Sequence, residues 1–467
     1  MVLMSGKDIG NRVRGLVSDA RGRITGDSLQ GKVIRNAGWV GIGYGADMAV
    51  RFASSLILTR LLDPSAFGLI TTVTVFLMVA VMVSDLGVQT LILTDSRADD
   101  EGFLGTLFTI HVIRGFILTI VLALVAFGWY MALQHGMIPP SSSYADPLLP
   151  QLLGLLSFTL LLQGFSSLNE HRMIRHLDRG PIARLDIVLR IGTTILNVLL
   201  VWLFRSVWMI AITMVVQAVA RTVLTHIYLT GPKMTFRIDW KEIKGVLLLS
   251  RWVAVNSALY VAASSADKLV IGAGFDLDTL GVYSIAFTLF SSAVTLIEKL
   301  QAEMGIPVLN ALLEKPADEM KRAYYKFRLP MDLYCAVAGL GMVLLGPLFF
   351  RIAYPANYGM GGAFLALLGI KVILMPILLS GNFIYARRRY RLMSFIGLLR
   401  TGIYITALLT AVWLQSIHLA VFIIALEKVP EIALYFAISR TGIPFSMRRD
   451  GLLIGLAAAS ILYLSII

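Results

Sequence analysis

Thirteen long apolar segments cover most of this chain and constrain its fold more than any other feature. A helix needs about 20 apolar residues to cross the hydrocarbon core of a bilayer, and the segments have about that length. The composition agrees, because 57% of the 467 residues are hydrophobic, 15% are charged and the mean hydropathy is +0.78. A soluble domain carries about 25% charged residues. The sequence therefore excludes a soluble enzyme, a secreted disulfide scaffold and a disordered protein.

The basic residues between the segments predict the orientation of the chain. With a cytoplasmic N-terminus, 29 of the 41 Lys and Arg residues fall in connections on the cytoplasmic side, three fall in the opposite connections and nine fall within segments. Cytoplasmic loops carry an excess of Lys and Arg, so this asymmetry predicts that the N-terminus is cytoplasmic. The acidic loop 95–102 alone runs against the pattern. The net charge of +13 is therefore explained by the orientation of the chain in the membrane. No nucleic acid partner is expected, because the charges are scattered between apolar segments and do not cluster on one surface.

A self-similarity at an offset of 213 residues predicts two related halves. The stretch that starts at Trp39 aligns without a gap with the stretch that starts at Trp252, and Gly68 falls on Gly281. Both copies are predicted to form a helix, a short acidic turn with a glycine, and a second helix. Six segments precede the second copy, so both copies cross the membrane in the same direction. Parallel repeats of this kind are typical of transporters.

We therefore predict an all-α polytopic membrane protein. Two six-helix lobes related by an internal parallel repeat surround a central cleft, and at least one extra C-terminal span follows. The predicted divisions are a cytoplasmic basic tail over 1–36, an N-terminal lobe over 37–229, a cytoplasmic linker over 230–244, a C-terminal lobe over 245–441 and an additional transmembrane helix over 451–467.

Three motifs resemble a known family. LTRLLDPSAFGLI (58–70), SDLGV (84–88) and SSADKLVIGAGFDLDTLGVYSIAFTL (264–289) resemble the helix pairs that open the two halves of Wzx-type polysaccharide-export flippases, in the multidrug/oligosaccharidyl-lipid/polysaccharide (MOP) exporter superfamily. The resemblance covers both half-starts and fits the number of helices.

The resemblance implies a function in the bacterial inner membrane. Such flippases move undecaprenyl-diphosphate-linked oligosaccharides to the periplasmic leaflet by alternating access, for exopolysaccharide, O-antigen or capsule biosynthesis. The implied partners are the lipid-linked oligosaccharide, membrane lipids, a polysaccharide polymerase and chain-length proteins. Multidrug exporters and lipid II flippases share the fold, so the fold does not determine the cargo.

Ionisable residues inside the segments are the candidates for contact with the cargo. Such groups are costly in a membrane and mark transport pathways. Basic residues outnumber acidic ones there, which suits an anionic cargo, because guanidinium offers paired donors to phosphate and stays charged when desolvated. The resemblance likewise implies that cationic cavity residues hold the diphosphate. The candidates are Arg51, Arg114, Lys268 and Lys371.

Arg51 is the strongest of these candidates. It lies near the middle of the first segment, and in the repeat it aligns with Ser264, one turn before Asp267 and Lys268. Asp47 precedes Arg51 by four residues, which would place an ion-pair partner on the same helix face and partly neutralise it. Lys268 has two interpretations: it lines the cavity, or it neutralises Asp267 within its own lobe.

The other buried charges are interpreted from their spacing. His111 and Arg114 share a helix face, where they either handle phosphate or protons or form a packed polar pair. Lys371 stands alone in an apolar run. Asp186 and Arg190 are four residues apart and are expected to pair with each other. Four long basic side chains are expected to extend to the membrane interface, namely Arg221, Arg251, Arg400 and Lys428.

Other functional classes make different demands on the sequence. A cation-coupled drug exporter would place acidic residues in the cavity, whereas basic residues are in excess here. A membrane-embedded polymerase or glycosyltransferase would need a large loop with catalytic carboxylates, and no connection exceeds about 30 residues. We predict a protein that is not an enzyme, with no catalytic residue, metal or cofactor.

Overall fold

The computed structural model describes residues 29–140, 142–240, 242–246, 257, 264–313, 315–387, 389–437 and 446–466. Every regular element in these ranges is a helix, which confirms the predicted all-α class. Most of the predicted basic tail lies outside the described residues, as do Arg251 and Trp252.

The first half of the described chain forms eight α-helices and one short 3-10 helix. The α-helices are α1 (Leu29–Leu58), α2 (Pro64–Val83), α3 (Val88–Thr94), α4 (Glu101–Gln134), α5 (Leu148–Gly164), α6 (Asn169–Arg175), α7 (Gly180–Phe204) and α8 (Val207–Tyr228). The 3-10 helix Ser143–Ala145 lies in the connection between α4 and α5.

The second half of the described chain repeats the helical architecture. Its α-helices are α9 (Ala266–Gly274), α10 (Leu277–Leu313), α11 (Ala317–Ala353), α12 (Met360–Leu374), α13 (Asn382–Ala386), α14 (Tyr390–Trp413), α15 (Ile417–Ala425), α16 (Val429–Ala437) and α17 (Asp450–Ile466). Helix α12 gives way to the 3-10 segment Met375–Gly381 at Pro376, because proline cannot donate the next helical hydrogen bond.

The described helices agree with most of the thirteen predicted spans. Eight of the described helices are long and apolar enough to cross a membrane. The count rises to nine if α5 and α6, which are bent by 56° relative to each other, form one broken span. Of the other four predicted spans, 37–62 corresponds to α1 and 417–441 to the short pair α15 and α16. The span 245–272 lies largely outside the described residues, and 451–467 corresponds to the 17-residue helix α17.

The internal repeat is visible where α2 crosses α10. A Cβ atom on Gly68 would collide with the carbonyl oxygen of Leu277, and one on Gly281 would collide with that of Pro64. Pro64 and Leu277 are themselves equivalent at the offset of 213 residues. The two contacts therefore mirror each other, and only glycine permits so close a backbone approach. The predicted two-lobe repeat is confirmed.

Each lobe has its own apolar core. In the first lobe, Leu149, Leu152, Leu153 and Leu156 of α5 are fully buried, at the spacing of one helix face. The larger core of the second lobe is built from α9 to α15. Other apolar side chains face outward, such as Leu124, which is 65% exposed. Outward apolar side chains of this kind are expected where helices contact lipid.

The two lobes are joined at the end of the molecule opposite the basic connections. The backbone N–H of Ser143 donates to the carbonyl of Phe275 at 2.9 Å, and the hydroxyl of Tyr144 donates to a carbonyl of α9 at 2.7 Å. The hydroxyl of Tyr358 donates to the carbonyl of Leu62 at 2.8 Å. We call this the far end, and the end that carries the basic connections the basic end.

The acidic loop that runs against the charge pattern is neutralised at the basic end. Arg97 pairs with Asp95 at 2.9 Å, and Arg172 pairs with Asp99 at 2.5 Å. Hydrogen bonds from the side chain and backbone of Arg97 lower the pKa of Asp95 to about 2. Contacts with His176 and Arg172 likewise lower the pKa of Asp99. The acids therefore stay ionised and connect neighbouring basic loops.

Candidate functional site

A cavity of about 470 Å³ lies among α1, α6, α7 and α8, and we call it the first chamber. Four basic and three acidic side chains line it. These are Arg179, Arg190, Arg221, Lys299, Asp47, Glu170 and Asp186. Their concentration between helices of membrane length marks the chamber as the candidate site, because ionisable groups are costly in a membrane.

A shared carboxylate organises two arginines at this chamber. Arg51 donates from Nε to one oxygen of Asp47 at 2.8 Å, and Nε of Arg190 lies 2.5 Å from the other oxygen. The predicted pair of Asp47 and Arg51 is confirmed. Two guanidinium groups thus share one negative charge, so the group of three carries a net positive charge. The side chains of Arg51 and Arg190 are 49% and 34% exposed, which leaves both accessible to a ligand.

Arg221 of α8 holds two acids of the same chamber. It donates to Asp186 at 2.6 Å and to both oxygens of Glu170 at 3.0 and 2.9 Å. The predicted pairing of Asp186 with Arg190 is therefore wrong, and so is the predicted extension of Arg221 to the interface. Helix packing supplies each residue with a partner on another helix, which replaces the local partner one turn away.

The second lobe closes one side of the first chamber. Lys299 of α10 lines the chamber, and its ammonium lies 4.4 Å from the ring centroid of Tyr44 on α1. The hydroxyl of Tyr44 also donates to the carbonyl of Ser292. The chamber therefore lies against the interface between the lobes.

A second chamber of about 320 Å³ lies within the second lobe. Among the described residues that line it, basic and acidic side chains are equal in number, namely Lys371, Arg400, Lys428, Asp267, Glu298 and Glu427.

Ion pairs neutralise most of the charges of the second chamber. Lys371 donates to Glu427 at 2.6 Å, and Lys428 lies 3.2 Å from the same carboxylate. Arg400 donates to Glu431 at 2.8 Å. Lys371 therefore has a partner that its apolar sequence context did not reveal, and the predicted extension of Arg400 and Lys428 to the interface is wrong.

Asp267 is held within its own lobe. It accepts a hydrogen bond of 2.5 Å from the hydroxyl of Tyr283, and Lys268 lies 3.6 Å away. The ammonium of Lys268 stacks 3.6 Å above the ring of Phe287. In the described part of the chain, the second oxygen of Asp267 has no hydrogen-bond partner. The position of Lys268 therefore favours the interpretation that it neutralises Asp267 within its own lobe.

His111 and Arg114 are not among the residues that line either chamber. Arg114 donates to the hydroxyl of Ser84 at 3.1 Å and to the carbonyl of Val81 at 2.5 Å. Both contacts tie α4 to α2. Of the candidates, Asp47 lines the first chamber, and Arg51 is held beside it through its contact with Asp47 without being one of the lining residues. Asp267 and Lys371 line the second chamber, whereas His111 and Arg114 line neither.

Sequence reasoning missed a third ionic cluster, near the basic end of the second lobe. The side chain of Arg328 is fully buried and pairs with Asp332 at 2.8 Å and with Asp450 at 2.5 Å. The hydroxyl of Tyr325 also donates to Asp450. These contacts dock α17 onto α11. The spacing of Arg328 and Asp332 by four residues was the available signal.

Two repeated helical lobes with ion-paired chambers between apolar helices of membrane length are the architecture of a multi-pass membrane protein. The fold is similar to that of a multidrug resistance MATE family transporter of the MOP superfamily in an inward-facing conformation (TM-score 0.63, 14% identity, 87% of this chain and 96% of that chain). It is also similar to a MATE protein in complex with MaL6 (TM-score 0.58, 14% identity, 93% and 99%). A third similar structure is a MOP superfamily transporter from Pyrococcus furiosus, described as having a binding pocket of reverse polarity (TM-score 0.53, 12% identity, 92% and 98%). At these identities the likeness establishes the fold.

The chain belongs to the polysaccharide biosynthesis protein family, whose family model matches residues 57–360. No curated protein matches the sequence. The family match and the likeness of the fold to MOP superfamily structures confirm the resemblance of the motifs.

Proposed function

We propose that the protein translocates undecaprenyl-diphosphate-linked oligosaccharide repeat units across the bacterial inner membrane, with its N-terminus in the cytoplasm. The cargo supplies exopolysaccharide, O-antigen or capsule biosynthesis. A polysaccharide polymerase and chain-length proteins would then act on the flipped units. The polysaccharide biosynthesis family supports this proposal, and so does the charge of the first chamber.

The observation that carries the proposal is the pair of arginines that share Asp47. Without cargo, one carboxylate holds both guanidinium groups close together. A diphosphate carries more than one negative charge and several acceptor oxygens, so it can engage both guanidinium groups where Asp47 offers one charge. Charge-assisted, paired hydrogen bonds of this kind are the strong ones in proteins.

Alternating access would use the contacts between the lobes. At the far end, the Ser143–Phe275 and Tyr358–Leu62 hydrogen bonds join the lobes. Opening the chamber toward the far end requires these contacts to break while the lobes close at the basic end. The close crossing of Gly68 and Gly281 lies beside these contacts, since Leu277 is two residues from Phe275 and Pro64 is two residues from Leu62, so it would loosen together with them.

A flipping assay in proteoliposomes tests the proposal. Wild-type protein should move a fluorescent undecaprenyl-diphosphate-linked oligosaccharide between leaflets. Removing a charge-assisted hydrogen bond costs about 1.5–3 kcal/mol, so Arg190→Ala should bind the cargo roughly 10- to 150-fold more weakly. Arg60→Ala is the matched control, because Arg60 is exposed and lies between α1 and α2, away from the chamber. Normal flipping by a folded Arg190→Ala protein would contradict the diphosphate site.

The same vesicles separate the alternatives. A cation-coupled multidrug exporter would transport ethidium, and we expect none from the wild-type protein. A lipid II flippase would be inhibited by unlabelled lipid II as strongly as by the oligosaccharide carrier. We expect weaker competition from lipid II.

A further inference from the structure

An apolar groove of about 430 Å³ runs between α1 and α7. Ten of the residues that the structure describes line it, and none of these ten is charged. On α1 it includes Ala53 and Ile57, and on α7 it includes Ile195, Leu199 and Trp202. Helical spacing places the α7 residues along one face of that helix.

The groove is continuous with the first chamber. Val50 and Ile191 line both cavities. Ile191 directly follows Arg190, which holds Asp47. The charged chamber and the apolar groove therefore adjoin each other along the same two helices.

The length and direction of the groove match a lipid chain attached to the chamber. Arg190 and Trp202 are twelve residues apart on α7, which is about 18 Å along a helix. From Arg190 the groove leads toward the far end, into the hydrocarbon layer. A lipid that enters from the basic end has its headgroup at that end and its chain pointing in this direction.

The groove is open to the surface that contacts lipid. The side chains of Ile195 and Trp202 are 63% and 60% exposed. An isoprenoid chain could therefore enter sideways from the bilayer while the headgroup stays at the arginines. Annular phospholipid fits less well, because Arg190 lies ten residues into α7, about 15 Å along the helix, whereas phospholipid phosphates remain at the interface.

We propose that this groove binds the isoprenoid chain of the lipid-linked cargo next to its diphosphate. The inference rests on the proposed function, since it assumes a diphosphate at Arg190. It assigns different parts of one amphipathic substrate to different surfaces: the charged group to the first chamber, and the first part of the chain to the apolar groove. The rest of the chain would extend into the bilayer.

Filling the groove tests the assignment. Binding of an undecaprenyl-diphosphate-linked sugar and of a methyl-diphosphate-linked sugar, which lacks the isoprenoid chain, is measured with the full chain in nanodiscs. Ala53→Phe fills the groove from α1, and Thr194→Phe fills it independently from α7. Each should weaken binding of the undecaprenyl compound by about tenfold or more, and neither should change binding of the methyl compound, which has no chain to place in the groove. Ala123→Phe is the matched control, because Ala123 is an exposed alanine on α4 outside both cavities.

The possible failures have different signatures. If both filled variants bind the undecaprenyl compound normally while Arg190→Ala does not, the groove assignment is wrong and the proposed function stands. A photoreactive undecaprenyl probe can be crosslinked to α7 in the presence of a competitor. If phospholipid competes as strongly as undecaprenyl diphosphate does, the groove is an annular lipid site and the assignment is wrong. If the wild-type protein binds neither compound, the proposed function fails and the groove assignment fails with it.

Discussion

Removal of the Asp450 carboxylate should destabilise the second lobe strongly. This side chain is fully buried and accepts hydrogen bonds from the Arg328 guanidinium at 2.5 Å, from the Ser446 backbone at 2.7 Å and from the Tyr325 hydroxyl. Asp450→Ala leaves three donors without that acceptor, two of them on the buried side chains of Arg328 and Tyr325. It also leaves the fully buried Arg328 with Asp332 as its remaining carboxylate partner in the described residues.

The expected size of the effect follows from burial. Breaking a buried ion pair by removing one partner costs about 3–5 kcal/mol, because the remaining charge stays desolvated. An entropy of unfolding near 2.1 cal/mol/K per residue converts this cost to a fall in Tm of at least about 3 °C for 467 residues. Thermal unfolding in detergent, followed by intrinsic fluorescence, measures the fall.

Two further variants test the reasoning. Asp318→Ala removes an exposed acid from the first turn of α11 and should cost less than about 1 kcal/mol. The triple variant Arg328→Met/Asp332→Leu/Asp450→Leu removes all three charges of the cluster and should recover most of the lost stability, because apolar replacement of a buried ionic cluster is often neutral. If Asp450→Ala leaves Tm unchanged, or the triple variant is no more stable than Asp450→Ala, the reasoning is refuted.

Three further perturbations have defined outcomes. Gly281→Val places a side chain against the Pro64 carbonyl and should lower Tm and abolish flipping, whereas Gly341→Ala, whose Cβ meets no atom within 4 Å, should preserve both. Asp95, with its pKa lowered to about 2, stabilises the fold above about pH 4 and loses this contribution as the pH falls from about 4 to 2. Asp95→Asn should remove that part of the acid dependence of Tm and, for an exposed pair, cost no more than about 1 kcal/mol at neutral pH. Asp47→Asn should tighten binding of the diphosphate carrier by about 0.5–1.5 kcal/mol in a titration, since it frees two arginines; weaker binding would show that Asp47 assists the cargo.

The sequence by itself determined the class of fold. Apolar segments of membrane length must be helical, because only a helix satisfies its own backbone hydrogen bonds in lipid. The repeat also predicted that Gly68 and Gly281 are equivalent, and they meet equivalent carbonyls in the structure. The pair of Asp47 and Arg51 was predictable for the same reason: it is local, and one turn of helix sets its geometry.

Only the tertiary structure decided which of the remaining charges pair. Arg190 lies one turn from Asp186, yet it contacts Asp47 on another helix, and Asp186 contacts Arg221. Helical spacing determines which face a side chain occupies. The partner depends on the register and crossing of helices that are distant in sequence. The continuity of the charged chamber with the apolar groove has the same origin, because it exists only where α1 packs beside α7.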